Sequence, residues 1–171
     1  MSGLRMALEI ERKFLVTSDG WRARASPGES LRQAYLASTR RGSMRVRLSP
    51  ERATLTVKSR RRGIVREEFT FEIPRSEAEQ MLRGLCTAAV EKVRHTVRHA
   101  GMTWQVDVYG GAAGGLVLAE IELERTDQGF ELPDWIGREV TFDPAYRNSA
   151  IARLGVPVRS ASLTGRAAVP A

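Results

Sequence analysis

Ionisable residues occupy one face of nearly every β-strand that this sequence predicts, and this pattern limits the fold more than any other feature. Between Leu8 and Val16, apolar residues alternate with Glu9, Glu11 and Lys13, while Arg12 interrupts the apolar face. Successive side chains of a strand point to opposite faces, so the alternation predicts one apolar and one charged face. A single strand of this kind is most often solvated surface. The interpretation therefore depends on the strands that follow.

The same alternation recurs along most of the chain. It predicts further strands over residues 31–37, 43–48, 54–59, 64–73, 90–97, 103–109 and 116–125, joined mainly as hairpins. A short amphipathic helix follows Pro74, with Ser76 and Glu79 as its capping box, and a second helix is predicted over residues 144–154. A mainly β, antiparallel domain with a few helices is the expected fold class.

The polar faces of these strands carry charges in phase, strand after strand. The basic members are Lys13, Arg45, Arg47, Lys58, Arg66, Lys92 and Arg94, and the acidic members are Glu9, Glu11, Glu68, Asp107, Glu120 and Glu122. If about eight strands close into a barrel, these faces form a charged lumen. Unpaired buried ions cost several kcal/mol each, so such a lumen needs a charged ligand. A polyphosphate bound with Mg²⁺ or Mn²⁺ satisfies both sets, because Arg and Lys pair with phosphate oxygens and carboxylates bind hard cations.

Composition narrows the class of partner. The chain of 171 residues has 27 Lys plus Arg against 20 Asp plus Glu, a net charge of +7 that favours an anionic partner. A nucleic-acid-binding barrel is disfavoured, because the polar faces supply few aromatic residues for base stacking. Cys86 is the single cysteine, so neither an intramolecular disulfide nor a thiolate metal cluster is expected. No stretch has the length of a membrane span or the profile of a signal peptide, so a cytoplasmic protein with no membrane partner is expected.

Several motifs, taken in order, resemble those of the CYTH domain, or triphosphate tunnel metalloenzyme, family. Glu9-Ile10-Glu11-Arg12-Lys13 is similar to its ExExK signature, in the form typical of its small bacterial members. Later motifs resemble the family's in the same order: Gln33-Ala34-Tyr35-Leu36, Arg45-Val46-Arg47, Lys58, Glu91-Lys92-Val93-Arg94, Asp107, Glu120-Ile121-Glu122 and Tyr146-Arg147-Asn148. The ordered set is far more specific than any single motif.

The resemblance implies an eight-stranded, closed antiparallel tunnel barrel over residues 1–156, with residues 157–171 expected to be a disordered tail. It implies that the chain hydrolyses inorganic triphosphate with Mg²⁺ or Mn²⁺ as cofactor, as a monomer or homodimer. The metal-binding carboxylates would be Glu9, Glu11, Asp107, Glu120 and Glu122. The substrate-binding residues would be Lys13, Arg45, Arg47, Lys58, Lys92 and Arg94. Lys13, with a lowered pKa, and Tyr35 would be the catalytic residues that help to orient or deprotonate water.

Two other functions stay open at this point. Adenylate cyclase and thiamine or nucleoside triphosphatase activities occur in the same family, although no adenine pocket can be identified from the sequence. A non-catalytic polyphosphate- or nucleotide-binding module is the other alternative. The acidic pairs disfavour it, because binding alone would not require so many carboxylates.

Overall fold

The computed structural model describes residues 7–86 and 88–157. It contains nine β-strands, two α-helices and three short 3₁₀ turns. The strands are β1 (Ala7–Val16), β2 (Glu29–Ser38), β3 (Gly42–Leu48), β4 (Ala53–Ser59), β5 (Val65–Ile73), β6 (Ala89–His99), β7 (Met102–Tyr109), β8 (Val117–Glu122) and β9 (Ile136–Glu139). The helices are α1 (Arg75–Gly84) and α2 (Asn148–Leu154), and the turns lie at Arg22–Arg24, Gly111–Ala113 and Pro144–Tyr146.

Eight antiparallel strands pair in a closed ring, in the order β1-β5-β4-β3-β2-β6-β7-β8 and back to β1. β1 closes the ring because it pairs with β5 through residues 7–10 and with β8 through residues 11–15. The predicted mainly β fold of eight antiparallel strands around a lumen is therefore confirmed. The charged faces of the strands point into this ring.

The ninth strand was not predicted. β9 has four residues without alternation, and it pairs with the end of β1 across an irregularity between Phe14 and Val16. Its Glu139 accepts hydrogen bonds from the Arg12 guanidinium, which also lies over the Phe14 ring. The one charged residue on the apolar face of β1 is thus paired with β9.

Two apolar clusters cover the outside of the ring. One is built around Phe14, Trp104, Ile121 and Trp135, and the other lies where α1 packs on β3 and β4. The predicted capping box of α1 is wrong. The helix begins one residue after Pro74, which has no side-chain cap, so Ser76 lies within the first turn.

A third apolar cluster closes one end of the lumen. Leu15, Tyr109 and Leu118 pack there with Tyr146 and with Ile151 of α2. The second predicted helix is interrupted, because extended backbone at Arg147 separates a 3₁₀ turn from α2. α2 ends at Gly155 with φ of 73°, where a Cβ would lie 2.7 Å from the Ala112 carbonyl oxygen.

The predicted tail, residues 157–171, falls almost entirely outside the described residues, so the domain boundary at 156 stays a prediction. No helix in the described ranges is long and apolar enough to cross a membrane.

Candidate functional site

The lumen contains a cavity of about 1110 Å³ whose wall brings together side chains from most strands of the ring. Ten of the twelve site residues predicted from the sequence line it: Glu9, Glu11, Lys13, Tyr35, Arg45, Arg47, Lys58, Arg94, Glu120 and Glu122. The other two, Lys92 and Asp107, lie beneath the wall with fully buried side chains. The alternation of β1 to β8 accounts for this convergence, because each strand turns one polar face inward.

The β1 carboxylates are held by basic residues of β4, β5 and their connection. Glu9 accepts a hydrogen bond from Lys58 Nζ at 2.7 Å and pairs with Arg66. Burial raises the pKa of Glu9, but Lys58 and Arg66 outweigh it and the pKa is lowered overall. Glu11 pairs with Arg61 Nη2 at 3.1 Å and lies 3.9 Å from Arg66 Nη2. Both carboxylates are therefore paired with cations of the wall.

Glu68 of β5 shares the Lys58 ammonium with Glu9, at 2.5 Å from its own carboxylate oxygen. Burial opposes ionisation of Glu68, but Lys58 lowers its pKa to about 2. Arg66 thus pairs with residues of β1, and Glu68 pairs with a residue of β4.

A denser network lies towards β6, β7 and β8. Asp107 is fully buried and accepts two hydrogen bonds from Arg94, both at 2.7 Å, and one from Lys92 Nζ at 2.5 Å. Arg94 also donates to Glu120 at 2.7 Å, and Lys13 Nζ lies 2.8 Å from the other Glu120 oxygen. Asp107 therefore holds Arg94 against the cavity and is itself shielded from it.

Lys13 is buried but stays a cation. Burial lowers its pKa, but Glu120 and Glu11 more than offset this effect and the pKa is raised. The predicted lowering of the Lys13 pKa is therefore wrong. Inward carboxylates of β1 and β8 surround Lys13, and their negative charges affect its pKa more than the nearby cations do.

Arg45 and Arg47 differ from Lys13, Lys58 and Arg94, the other predicted cations of the cavity wall. In the described part of the chain neither forms an ion pair: Arg45 donates to Thr56 at 3.2 Å, and Arg47 donates twice to the Gln33 amide oxygen at 3.1–3.2 Å. Burial and then the positive charge of Arg45 and Arg94 lower the pKa of Arg47 to about 10. Positive charge is thus concentrated here, and the described carboxylates act on it only from a distance, as Asp107 and Glu120 do on Arg47.

Glu122, like these arginines, forms no ion pair in the described part of the chain. Its pKa is raised, by burial and then by the negative charges of Glu9, Glu68 and Glu11. Tyr35 is buried among Arg45, Lys13 and Arg47, and burial raises its pKa. The phenol is therefore neutral at pH 7 and can donate a hydrogen bond.

The donor chemistry of the acidic group suits a hard divalent cation, because Glu9, Glu11, Glu120 and Glu122 offer only carboxylate oxygens. The register brings Glu11 opposite Glu122 and Lys13 opposite Glu120, so β1 and β8 place these groups side by side. Across the two described ranges, no three acidic, histidine or cysteine side chains already converge as metal ligands. Three of the carboxylates, Glu9, Glu11 and Glu120, pair instead with arginine or lysine, so binding a cation requires these three to exchange partners.

Sequence reasoning missed part of the cavity wall. Arg61 is not among the site residues predicted from the sequence, yet it pairs with Glu11. Thr141 accepts a hydrogen bond from the Lys13 backbone at 3.0 Å, and the Tyr146 carbonyl lies 3.4 Å from Lys13 Nζ. These residues come from loops without periodicity, so no pattern marked Arg61 or Thr141.

Comparison with known proteins identifies the family. The sequence profile of the CYTH domain matches residues 7–152. The inorganic triphosphatase of Acetivibrio thermocellus is 44% identical over 149 residues, which cover 86% of this chain and 95% of that protein. The inorganic triphosphatase of Nitrosomonas europaea is 36% identical over 155 residues, covering 87% and 99%.

The fold has a counterpart among solved structures. The crystal structure of the inorganic triphosphatase NE1496 superposes with a TM-score of 0.62 at 34% identity, covering 87% of this chain and 99% of that one. The ring of strands, the charged lumen and the match over residues 7–152 agree, and the resemblance inferred from the motifs is confirmed. This chain belongs to the CYTH domain family.

Proposed function

We propose that this chain is a metal-dependent hydrolase that cleaves inorganic triphosphate to pyrophosphate and orthophosphate inside the lumen. The observation that carries the proposal is the pair of Arg45, which is buried, and Arg47, which is half-buried. Among the described residues, both donate hydrogen bonds to neutral acceptors only. An anion at this position would balance their charge. The relatives named inorganic triphosphatase, at 44% and 36% identity, support the choice of substrate.

The basic residues would divide the work of binding. Arg45, Arg47 and Arg94 line the cavity and can each offer guanidinium donors to phosphate oxygens. Lys13 and Lys58 would add point charges once they exchange Glu120 and Glu9 for phosphate. Lys92, beneath the wall, would act through Asp107, which holds Arg94 in place.

Glu9, Glu11, Glu120 and Glu122 would hold the metal, Mg²⁺ or Mn²⁺. A bound divalent cation supplies charge neutralisation on phosphate oxygens and orients water. Asp107 was also predicted as a ligand; its three hydrogen bonds with Lys92 and Arg94 favour a positioning role instead. Its assignment stays a prediction.

Hydrolysis requires no nucleophile from the protein. A water oxygen forms a bond to a terminal phosphorus, the bridging P–O bond breaks, pyrophosphate leaves with its electron pair, and one water proton passes to solvent. The residues of the wall place the phosphorus and hold the charge. Lys13, as a cation, fits phosphate binding better than proton abstraction, and Tyr35 can donate a hydrogen bond to a phosphate oxygen or to water.

The substrate class is tested by phosphate and cyclic-nucleotide release from tripolyphosphate, ATP and thiamine triphosphate, each with Mg²⁺, Mn²⁺ or a chelator. We expect rapid phosphate release from tripolyphosphate that stops with the chelator. Cyclic AMP from ATP would instead identify a cyclase, and faster turnover of thiamine triphosphate would identify that compound as the substrate. Tight binding of tripolyphosphate without turnover would show that the protein is a non-catalytic binding module.

The carboxylates are tested separately with Glu9→Gln combined with Glu11→Gln. This variant should lose turnover while its circular dichroism stays that of the wild type. Arg83→Gln on the outside of α1 is the control for a charge change, and its activity should not change. Full activity of the double variant would show that the metal is bound elsewhere. Monomer or homodimer and a cytoplasmic location stay predictions.

A further inference from the structure

A second, smaller cavity of about 230 Å³ lies next to the first along β3 and β4. The first cavity is lined on β3 by residues from Gly42 to Arg47, and the second by Arg45, Arg47 and then Ser49. The two cavities therefore have a common wall, which is formed by Arg45, Arg47, Glu68 and Thr70. Arg52, in the turn between β3 and β4, lines only the second.

The lining of the small cavity is rich in hydrogen-bond donors. Arg45 donates to Thr56, and the hydroxyls of Thr56 and Thr70 lie 3.1 Å apart. The Nε of Arg45 is buried and has no acceptor among the described residues. A buried donor without an acceptor is unfavourable, so this position is suited to an oxygen-bearing ligand.

The charge balance of the small cavity is positive. Arg45, Arg47 and Arg52 face two carboxylates, and one of these, Glu68, is already paired with Lys58 at 2.5 Å. Glu29 is the other, and it is exposed to solvent. An anion therefore gains more from the three guanidinium groups than it loses to Glu29.

The size of the small cavity limits what it can bind. A water molecule takes up about 30 Å³ of liquid volume, so about 230 Å³ admits several waters or one hydrated phosphate group. Pockets for drug-sized ligands begin at roughly 300 Å³, so the small cavity lies below that range.

We propose that the small cavity is a second anion site of the lumen, which binds one tetrahedral phosphate group beyond Arg45 and Arg47. That group has two possible sources: released orthophosphate, or the end of a polyphosphate longer than three units. The identity of the source rests on the proposed function, whereas the binding of a phosphate group in the small cavity does not.

The site is tested by calorimetric titration of the full chain with sodium orthophosphate. Two variants alter only the small cavity: Arg52→Gln removes one charge, and Thr54→Val removes one hydroxyl with little change of shape. We expect the orthophosphate Kd to rise at least about fivefold in Arg52→Gln and about threefold in Thr54→Val. Arg83→Gln, with the same loss of charge on α1, should leave the Kd unchanged.

Kinetic measurements on the same variants separate the two sources. If the site takes released product, inhibition by orthophosphate weakens while KM for tripolyphosphate is unchanged. If it takes the end of a longer chain, kcat/KM for tetrapolyphosphate falls relative to that for tripolyphosphate. Either pattern supports the site.

An orthophosphate Kd that is the same in wild type, Arg52→Gln and Thr54→Val would overturn the proposal. Since calorimetry needs no turnover, a protein that fails to hydrolyse tripolyphosphate disproves the proposed function and leaves this titration decisive for the second site.

Discussion

In the lumen, carboxylates and cations form ion pairs that neutralise one another's charge. Glu11 illustrates this, because Arg61 lies 3.1 Å from one of its oxygens and Arg66 lies 3.9 Å from the other. A divalent cation at Glu11 would compete with these arginines. The Glu11 and Arg61 side chains are only 12% and 19% exposed, so Glu11 is left uncompensated if Arg61 is displaced and nothing replaces it. A metal ion at Glu11 would supply the positive charge that the arginine gives up.

Replacement of Arg61 should strengthen metal binding. In Arg61→Gln, Glu11 loses its nearest cation, so we expect the affinity for Mn²⁺ to rise about two- to fivefold in the absence of substrate. Titration followed by electron paramagnetic resonance measures free Mn²⁺ directly and needs no turnover. Arg62→Gln is the matched control, because Arg62 is the exposed neighbour in the same connection. Weaker Mn²⁺ binding in Arg61→Gln would contradict competition for Glu11.

The elements have separate tasks, and α2 closes one end of the lumen. Its Ile151 is 2% exposed and packs in the cluster that contains Leu15 and Leu118. The Tyr109 hydroxyl also donates to the Asn148 side chain at 2.5 Å, at the start of the helix. Helices as short as α2 are unstable alone, so its position depends on this packing.

Truncation of Ile151 should destabilise the protein strongly. Ile151→Ala leaves a cavity between α2 and the strands, and we expect the free energy of unfolding to fall by about 2–5 kcal/mol. Urea denaturation followed by circular dichroism measures the change. Leu154→Ala on the same helix removes a side chain that is 80% exposed, and its effect should stay within about 0.5 kcal/mol. Equal losses in the two variants would show that α2 does not depend on its buried face.

At the scale of the whole molecule, the ion pairs of the lumen make the free energy of unfolding depend on pH. Burial raises the pKa values of Glu9, Glu68, Asp107 and Glu120, but their cationic partners outweigh it and all four are lowered. Glu68 shows the size of the effect, from 4.5 to about 2. Unfolding restores ordinary values, so in this pH range the unfolded chain binds more protons. The stabilisation is complete above the unfolded pKa and is lost as pH falls towards the folded value.

Acid should therefore unfold this protein progressively. We expect the urea midpoint to fall as the pH is lowered from about 5 to about 3. Glu68→Gln removes one of the four groups, so its midpoint should depend less steeply on pH over the same range. A midpoint that is constant or rises on acidification would mean that the carboxylates are not held as ions by their partners.

The sequence predicted the fold class and most of the site because both depend on local alternation. Period-two patterns place polar side chains on the inward face of each strand. Glu9, Glu11, Arg45 and Arg47 follow such patterns, and all four line the cavity. The sequence did not predict two features of the secondary structure. β9 has too few residues to show a pattern, and extended backbone at Arg147 divides the second predicted helix.

Alternation by itself determined which residues face inward, since that requires only the geometry of an extended chain. Only the tertiary structure decided how deep each residue lies and which charge it meets, because these depend on register and on the closing of the ring. Asp107 and Lys92 have the same inward phase as their neighbours, yet packing places them beneath Arg94 with no exposed side chain. Lys13 likewise meets Glu120 and Glu11, and these contacts raise its pKa where the sequence predicted a lowered one.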